Sequence, residues 1–168
     1  MHASIRSVIS TLAVLTTLAV SAATAQALEP STFSPDASQK KKLEDGEILT
    51  RVTQTDTIDT WTAALVEAPV DEVWGVIDDF EAQKHWVPDT LTASHAELGK
   101  KGKYKICKTG TDLPWPLANR TYKMRVHNRK TTVDGTEAYV SSWSYIKGSG
   151  NIESMDGYWI VTPYGDED

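Results

Sequence analysis

From residue 91 to residue 162 the chain runs through five stretches in which apolar and polar residues alternate with a period of about two: 91–98, 103–109, 120–128, 137–147 and 151–162. Gly99-Lys100-Lys101-Gly102, Asp134-Gly135 and Gly148-Ser149-Gly150 mark turns between them. Strands joined this briefly must run antiparallel, because a parallel neighbour needs a crossover of roughly a dozen residues or more. The pattern therefore predicts an antiparallel meander, and few folds remain open to the rest of the chain.

Two more strands precede it, at 48–55 and 60–67. In the second, nearly every position is apolar or small, as in a strand covered on much of both faces. Helical spacing then interrupts. Pro69 sets a helical first turn, Asp71 and Glu72 suit its positive end, and Val70, Val73, Trp74 and Ile77 recur at i, i+3, i+4 and i+7. Asp78 with Glu81 three residues on predicts a capping box for a second short helix that Pro88 stops. The order β–α–α–β₅ is that of an α+β fold in which two short helices interrupt one curved antiparallel sheet. One sheet face is expected to turn Tyr104, Ile106, Tyr122, Met124, Val126, Tyr158 and Ile160 inward, with Lys103, Lys105, Thr121, Lys123, Arg125 and His127 on the other. Tyr139, Trp143 and Tyr145 share a face, as do Met155 and Trp159, but a bulge near Gly157 would reverse their side.

The first residues have the pattern of an export signal. Arg6 precedes an uncharged run from 7 to 25, and its apolar centre at 8–20 is too short and too rich in Ser and Thr for a membrane span of roughly 20 residues. Ala23-Thr24-Ala25 and Ala25-Gln26-Ala27 both fit the small-residue cleavage rule. Residues 1–27 read as a signal peptide, 28–42 as a linker with a short helix starting at Ser34-Pro35-Asp36, and 43–168 as one domain. Removing residues 1–27, with one base and no acid, moves the formal charge from −6 to −7, which argues against nucleic acid as a partner. Cys107 is the one cysteine, so no intrachain disulfide can form. The expected location is the periplasm or the exterior.

Four segments carry a family likeness: Leu43-Glu44-Asp45-Gly46-Glu47-Ile48; the run Glu67-Ala68-Pro69-Val70-Asp71-Glu72-Val73-Trp74 with Ile77-Asp78-Asp79-Phe80 and Trp86-Val87-Pro88; Pro114-Trp115-Pro116-Leu117-Ala118-Asn119-Arg120; and Gly157-Tyr158-Trp159 with Pro163. In order and spacing, over roughly residues 43 to 163, they resemble the START-like, helix-grip superfamily that includes the polyketide cyclase/dehydrase and lipid-transfer groups. The resemblance implies a curved sheet gripping a long C-terminal helix around an apolar cavity. The chain departs from that pattern after Tyr164, where the family's return strand and gripping helix would follow, so an exposed strand edge near Trp159 is expected to favour self-association.

The resemblance implies binding or transfer of a hydrophobic small molecule, foremost a lipid, without catalysis or cofactor. The ligand-binding residues expected are Phe80, Trp86, Tyr104, Ile106, Arg120, Tyr122, Met124, Trp143 and Trp159. Arg120 matches by position an arginine near the family's cavity. It is either a polar handle for a ligand head group or one half of a structural ion pair with Asp112 or Asp156. The alternatives are a cyclase or aromatase using the same cavity, with Arg120, Asp156 and His127 as candidate groups, or a truncated member without function. The sequence holds no HExxH and no Cys/His cluster with metal-ligand spacing. Between Lys100 and Lys130 stand ten Lys or Arg and a single acid, Asp112, either a solvated outer face or a surface for transient contact with anionic membrane.

Overall fold

A computed structural model describes residues 6–13, 30–55, 58–87, 91–99, 104–114 and 116–165. Its strands are β1 (Arg6–Ala13), β2 (Leu49–Gln54), β3 (Ile58–Val66), β4 (Leu91–Leu98), β5 (Lys105–Thr111), β6 (Arg120–Val133), β7 (Thr136–Tyr145) and β8 (Asp156–Tyr164). Its helices are α1 (Ala37–Glu44), α2 (Val70–Asp78) and α3 (Gln83–Trp86). The strands form one eight-stranded sheet in the order β2-β3-β1-β8-β7-β6-β5-β4, antiparallel at every pairing. The fold is α+β and the sheet is open, with β2 and β4 at its edges.

Local chemistry accounts for the meander. Asp134 and Gly135 take φ of 50° and 84°, the paired positive values of a tight hairpin turn, so Val133 faces Thr136 and β6 and β7 zip from there. Gly148-Ser149-Gly150 does more than the hairpin turn expected of it. After Tyr145 the chain leaves β7 and lies along the start of β6, where Asn151 N–H donates to the Thr121 carbonyl at 3.1 Å and Asn151 Oδ1 accepts from Thr121 N–H at 2.8 Å. Ser149 Oγ accepts from Lys123 N–H at 2.9 Å, and Ile146 N–H donates to the Lys123 carbonyl at 2.9 Å. The β7–β8 pairing runs from Tyr139↔Val161 to Ser144↔Asp156 with no register shift, so no bulge at Gly157 reverses the faces.

Both faces of the sheet are covered, by different elements. On one, α2 rests on β7 and β8: Val73 is buried, Trp74 stacks on Tyr139 with ring centroids 5.0 Å apart, and Tyr139 OH donates to Asp71 Oδ1 at 2.6 Å. Beneath it lie Cys107, Met124 and Val126, with Phe80, Tyr122, Trp143 and Met155 packed around them. On the other face Val133, Ala138, Val140, Tyr158 and Ile160 form a second core. The N-terminal segment joins that side. Thr32 donates to Asp134 Oδ2 through its N–H at 2.8 Å and its hydroxyl at 2.9 Å, and Phe33 sets its edge on Trp61. A capping box between Asp36 and Gln39 starts α1, which buries Leu43 to 1% exposure.

Tyr158 and Ile160, expected on the face of Tyr122, Met124 and Val126, lie on the opposite one, because Trp159 between them is the residue that aligns with Ser141 and Asn128. Trp159, expected near an exposed edge, lies in β8, which is paired on both sides by β1 and β7. Two local details differ as well. Asp78 ends α2 rather than capping the next helix; α3 begins after Ala82 with no side-chain cap, and Asp79 Oδ1 accepts from Ala82 N–H at 3.1 Å in the turn before it. In β5 the faces are shifted by one residue. Cys107 opposes Met124 and Lys105 opposes Val126, so Lys105 and Cys107 face α2, whereas Ile106 opposes Arg125 on the far side. The run Lys-Tyr-Lys-Ile-Cys-Lys has adjacent apolar residues at 106 and 107, and alternation cannot choose between them.

Arg6–Ala13, within the segment expected to be a leader, form the strand between β3 and β8, paired along Ser7–Ala13 with the first and Arg6–Ala13 with the second. Strands lie about 4.8 Å apart, so without β1 its two neighbours would stand roughly 10 Å from each other. The two cleavage motifs at 23–27, as well as Pro88, Trp115, Lys100, Lys101 and Lys103, lie outside the described residues.

Candidate functional site: a cavity under the second and third helices

Between the α2–α3 segment and the sheet lies a cavity of about 300 Å³, partly open to solvent. Ile77, Phe80 and Gln83 roof it, and its floor is the inward stripe of β5 to β8: Cys107, Met124, Val126, Ser141, Trp143 and Trp159, with Met155 at the rim. The stripe exists because directly opposed residues of antiparallel strands share a face, so Cys107↔Met124, Val126↔Trp143 and Ser141↔Trp159 align across four strands. Trp143 and Trp159 pair with centroids 6.2 Å apart and form an aromatic wall.

A polar cluster stands at one end. Lys105 Nζ donates to Asp78 Oδ1 at 2.7 Å and to the Asp78 carbonyl at 3.0 Å, and Asn128 Nδ2 donates to the same Oδ1. Burial alone would push the Asp78 carboxyl upward, but hydrogen bonds from Lys105 and Asn128, with the Lys105 charge, hold it below the usual carboxylate range. Asp78 is therefore an anion at neutral pH, and Lys105 balances it. Two side-chain atoms of lining residues, Asn128 Oδ1 and Trp143 Nε1, are shielded from solvent and have no hydrogen-bond partner among the described residues. Burial raises the Cys107 thiol to about 11 against the opposing pull of the Lys105 charge, so the cavity floor is an uncharged thiol at neutral pH.

Of the nine ligand-binding residues expected, Phe80, Met124, Trp143 and Trp159 line this cavity. Tyr122 packs in the same cluster, behind the lining, and burial raises its phenol. The others lie elsewhere. Trp86 is 46% exposed at the end of α3. Tyr104 and Ile106 are on the opposite face, where the Tyr104 ring meets His127 at 5.6 Å and the Arg125 guanidinium at 5.0 Å. Arg120, at the start of β6, donates from Nη1 to the Ala118 carbonyl at 3.1 Å, and Asp112, its expected partner, accepts from Asn119 instead. Of the groups considered for catalysis, Arg120, His127 and Asp156 are all outside the cavity lining. Asp156 is raised by burial, which outweighs the bond it accepts from Tyr145 N–H.

The residues that alternation missed are Asp78, Lys105, Cys107 and Asn128. Asn128 was within reach: it continues the Tyr122, Met124, Val126 stripe at the same spacing, and a polar residue on an apolar stripe marks a polar spot in a dry wall.

A larger groove of about 670 Å³ lies between the N-terminal segment and β2, bounded by Phe33, Gln39, Lys42, Arg51, Trp61 and Tyr158 among others. Its walls are mainly polar and solvated, so it offers little burial to an apolar molecule, and the smaller cavity is the better candidate. Among the described residues no group of three His, Cys, Asp or Glu side chains could hold a metal ion, and no helix is long and apolar enough to cross a membrane. In comparisons with family models, curated proteins and solved structures, the chain matches none.

Proposed function

We propose that the chain is a helix-grip-type binding or transfer protein for a hydrophobic small molecule, which it holds without catalysis between α2 and the sheet. The observation that carries this reading is the cavity of about 300 Å³ whose lining includes Phe80, Cys107, Met124, Val126, Trp143, Met155 and Trp159. Small-molecule sites are concave, mainly apolar and carry a few convergent polar groups, and this cavity has that composition. Its volume sets the ligand's scale. Water occupies about 30 Å³ per molecule in the liquid, so the enclosed space takes on the order of ten non-hydrogen atoms. That suits one or two rings, or part of a chain whose remainder leaves through the open side, rather than the whole of a two-chain lipid.

Native mass spectrometry of the purified protein, followed by titration with the apolar fluorophore N-phenyl-1-naphthylamine, tests this reading. A discrete small-molecule adduct, or saturable fluorophore binding that Met124→Trp abolishes by filling the floor, is the expected result. A bare protein that leaves the fluorophore unbound would remove the support for it.

A further inference from the structure

The cover on the sheet face opposite the cavity stops short of β5 and the middle of β6. Phe33 and Thr32 hold the N-terminal segment to Trp61 and to the Asp134 turn, α1 packs on β2 and β3, and Lys108, Lys123, Arg125, His127 and Arg129 stay exposed. Register puts all five on one side. Cys107 and Met124 oppose each other beneath the cavity, so their neighbours face away from it, and there Lys108 directly opposes Lys123. Along β6 the outward positions 123, 125, 127 and 129 follow at intervals of about 6.8 Å, in a row of about 20 Å.

Nothing within the fold calls for this row. Like charges directly opposite on paired strands destabilise a sheet, and an exposed strand position favours Thr over Lys. None of the five forms an ion pair with a carboxylate among the described residues. Two carboxylates flank the row, Glu97 opposite Ile106 on β4 and the half-buried Asp156 opposite Ser144 on β8. A local rule broken with no compensating contact points to a requirement from outside the fold.

The row suits an extended anionic surface. Arg125 lies over the Tyr104 ring at 5.0 Å, and Arg129 Nη1 donates to Ser142 Oγ at 3.1 Å. A guanidinium has five N–H donors, so both keep most of theirs for acceptors outside the protein. Protein interfaces depend on apolar or aromatic anchors at their centre, but here Ile106 is half-buried and Tyr104 is engaged by Arg125 and His127. A layer of lipid headgroups asks only for charge and donors. The net charge of −6 does not oppose this, because screening confines the attraction to about 8 Å and only the facing side counts. We propose that the outer face of β5 and β6 docks the protein on a bilayer containing anionic lipid, through Lys108, Lys123, Arg125 and Arg129. The cavity, on the opposite face of the sheet, then stays toward water. This docking stands on the strand register and is independent of whether the cavity takes a ligand.

Co-sedimentation of the full chain with vesicles of phosphatidylcholine, with and without phosphatidylserine, tests this at low salt and at about 1 M salt, where the screening length is about 3 Å. At low salt, binding should be at least about tenfold tighter to the vesicles that contain phosphatidylserine, and the difference should vanish at high salt. Each Lys or Arg at the surface contributes about fivefold, so Lys108→Thr/Lys123→Thr should weaken that binding about 25-fold and Arg125→Gln about fivefold. Urea unfolding should find the double variant no less stable than wild type, since it relieves the repulsion between positions 108 and 123. Lys84→Gln, on α3 at the cavity side of the sheet, should change binding by less than about twofold. Equal binding to both vesicles at low salt, or a loss with Lys84→Gln as large as with Arg125→Gln, would overturn the docking face. Binding to soluble poly-L-glutamate but not to vesicles would assign the row to an acidic protein and overturn the bilayer. A destabilised double variant would show that the two lysines serve the fold and would overturn the argument from their repulsion, whereas the comparison of vesicles needs no variant.

Discussion

Replacing Gly150 by alanine should cost about 3 kcal/mol of stability, through one contact. A Cβ built on Gly150 would lie 1.8 Å from the Thr121 carbonyl oxygen, 2.6 Å from Tyr122 Cα and 2.7 Å from Thr121 carbonyl carbon. All three are backbone atoms of β6, a strand held on both sides, so they cannot give way as a flexible side chain would. A carbon and a carbonyl oxygen tolerate about 3.3 Å, so the 146–151 loop must retreat by roughly 1.5 Å. Hydrogen bonds between the loop and residues 119–123 measure 2.7 to 3.3 Å, and a retreat of that size takes them past any useful length. Three or four are lost: Asn151 to the Thr121 carbonyl, Thr121 to Asn151 Oδ1, Asn151 Nδ2 to the Asn119 carbonyl and Lys123 to Ser149 Oγ. At about 1 kcal/mol net for each exposed bond, with water replacing the lost partners, the sum is about 3 kcal/mol. Urea unfolding of wild type, Gly150→Ala, Asn151→Ala and the double variant gives a closed cycle. Asn151→Ala alone should cost about 1–2 kcal/mol, and in the Gly150→Ala background less than about 0.5 kcal/mol, because its bonds are already broken. Since Met155 closes the same loop and lines the cavity, fluorophore binding should weaken too. A Gly150→Ala protein within about 0.5 kcal/mol of wild type, or two costs that simply add, would refute the argument.

Three further outcomes are expected. Asp78→Asn should destabilise by about 1 kcal/mol at neutral pH, a modest figure because the pair is partly solvated; since the folded-state pKa of Asp78 is depressed, its contribution is full above about pH 5 and fades as the pH falls through that pKa, below 3.8. Melting curves of both proteins from pH 7 to pH 2 should converge at the acid end, and a constant gap would exclude the ion pair as the cause. Cys107, with its thiol raised to about 11, should react with iodoacetamide at pH 8 at least ~100-fold more slowly in the folded protein than in urea, and comparable rates would show the thiol to be open. A chain beginning at Leu28 lacks β1 and so leaves unpaired edges on β3 and β8; it should melt lower than the full chain and associate into dimers or larger species by native mass spectrometry. A monomer of unchanged stability would show that β1 is dispensable to the sheet.

Much of this molecule is legible in the chain because local rules decide it. Alternation with short turns dictates antiparallel pairing; Val70, Val73, Trp74 and Ile77 dictate an amphipathic helix; Asp134-Gly135 dictates a tight hairpin. These depend on residues a few positions apart, whose geometry the backbone enforces wherever they occur. The α+β class and the inward stripe of Tyr122, Met124 and Val126 follow from them. What the sequence left open was decided by partners distant in the chain. Which face Ile106 or Cys107 takes depends on register against β6, and Lys105 turns inward because Asp78, 27 residues earlier, meets it there. Arg120 stays out of the cavity because its own loop satisfies it. The place of 6–13 between β3 and β8 joins segments at opposite ends of the chain, where a run of Val, Ile, Leu and Thr serves a leader or a covered strand equally well. Composition carries the drive toward burial, which has no direction; only tertiary packing assigns that burial a face, and with it the cavity.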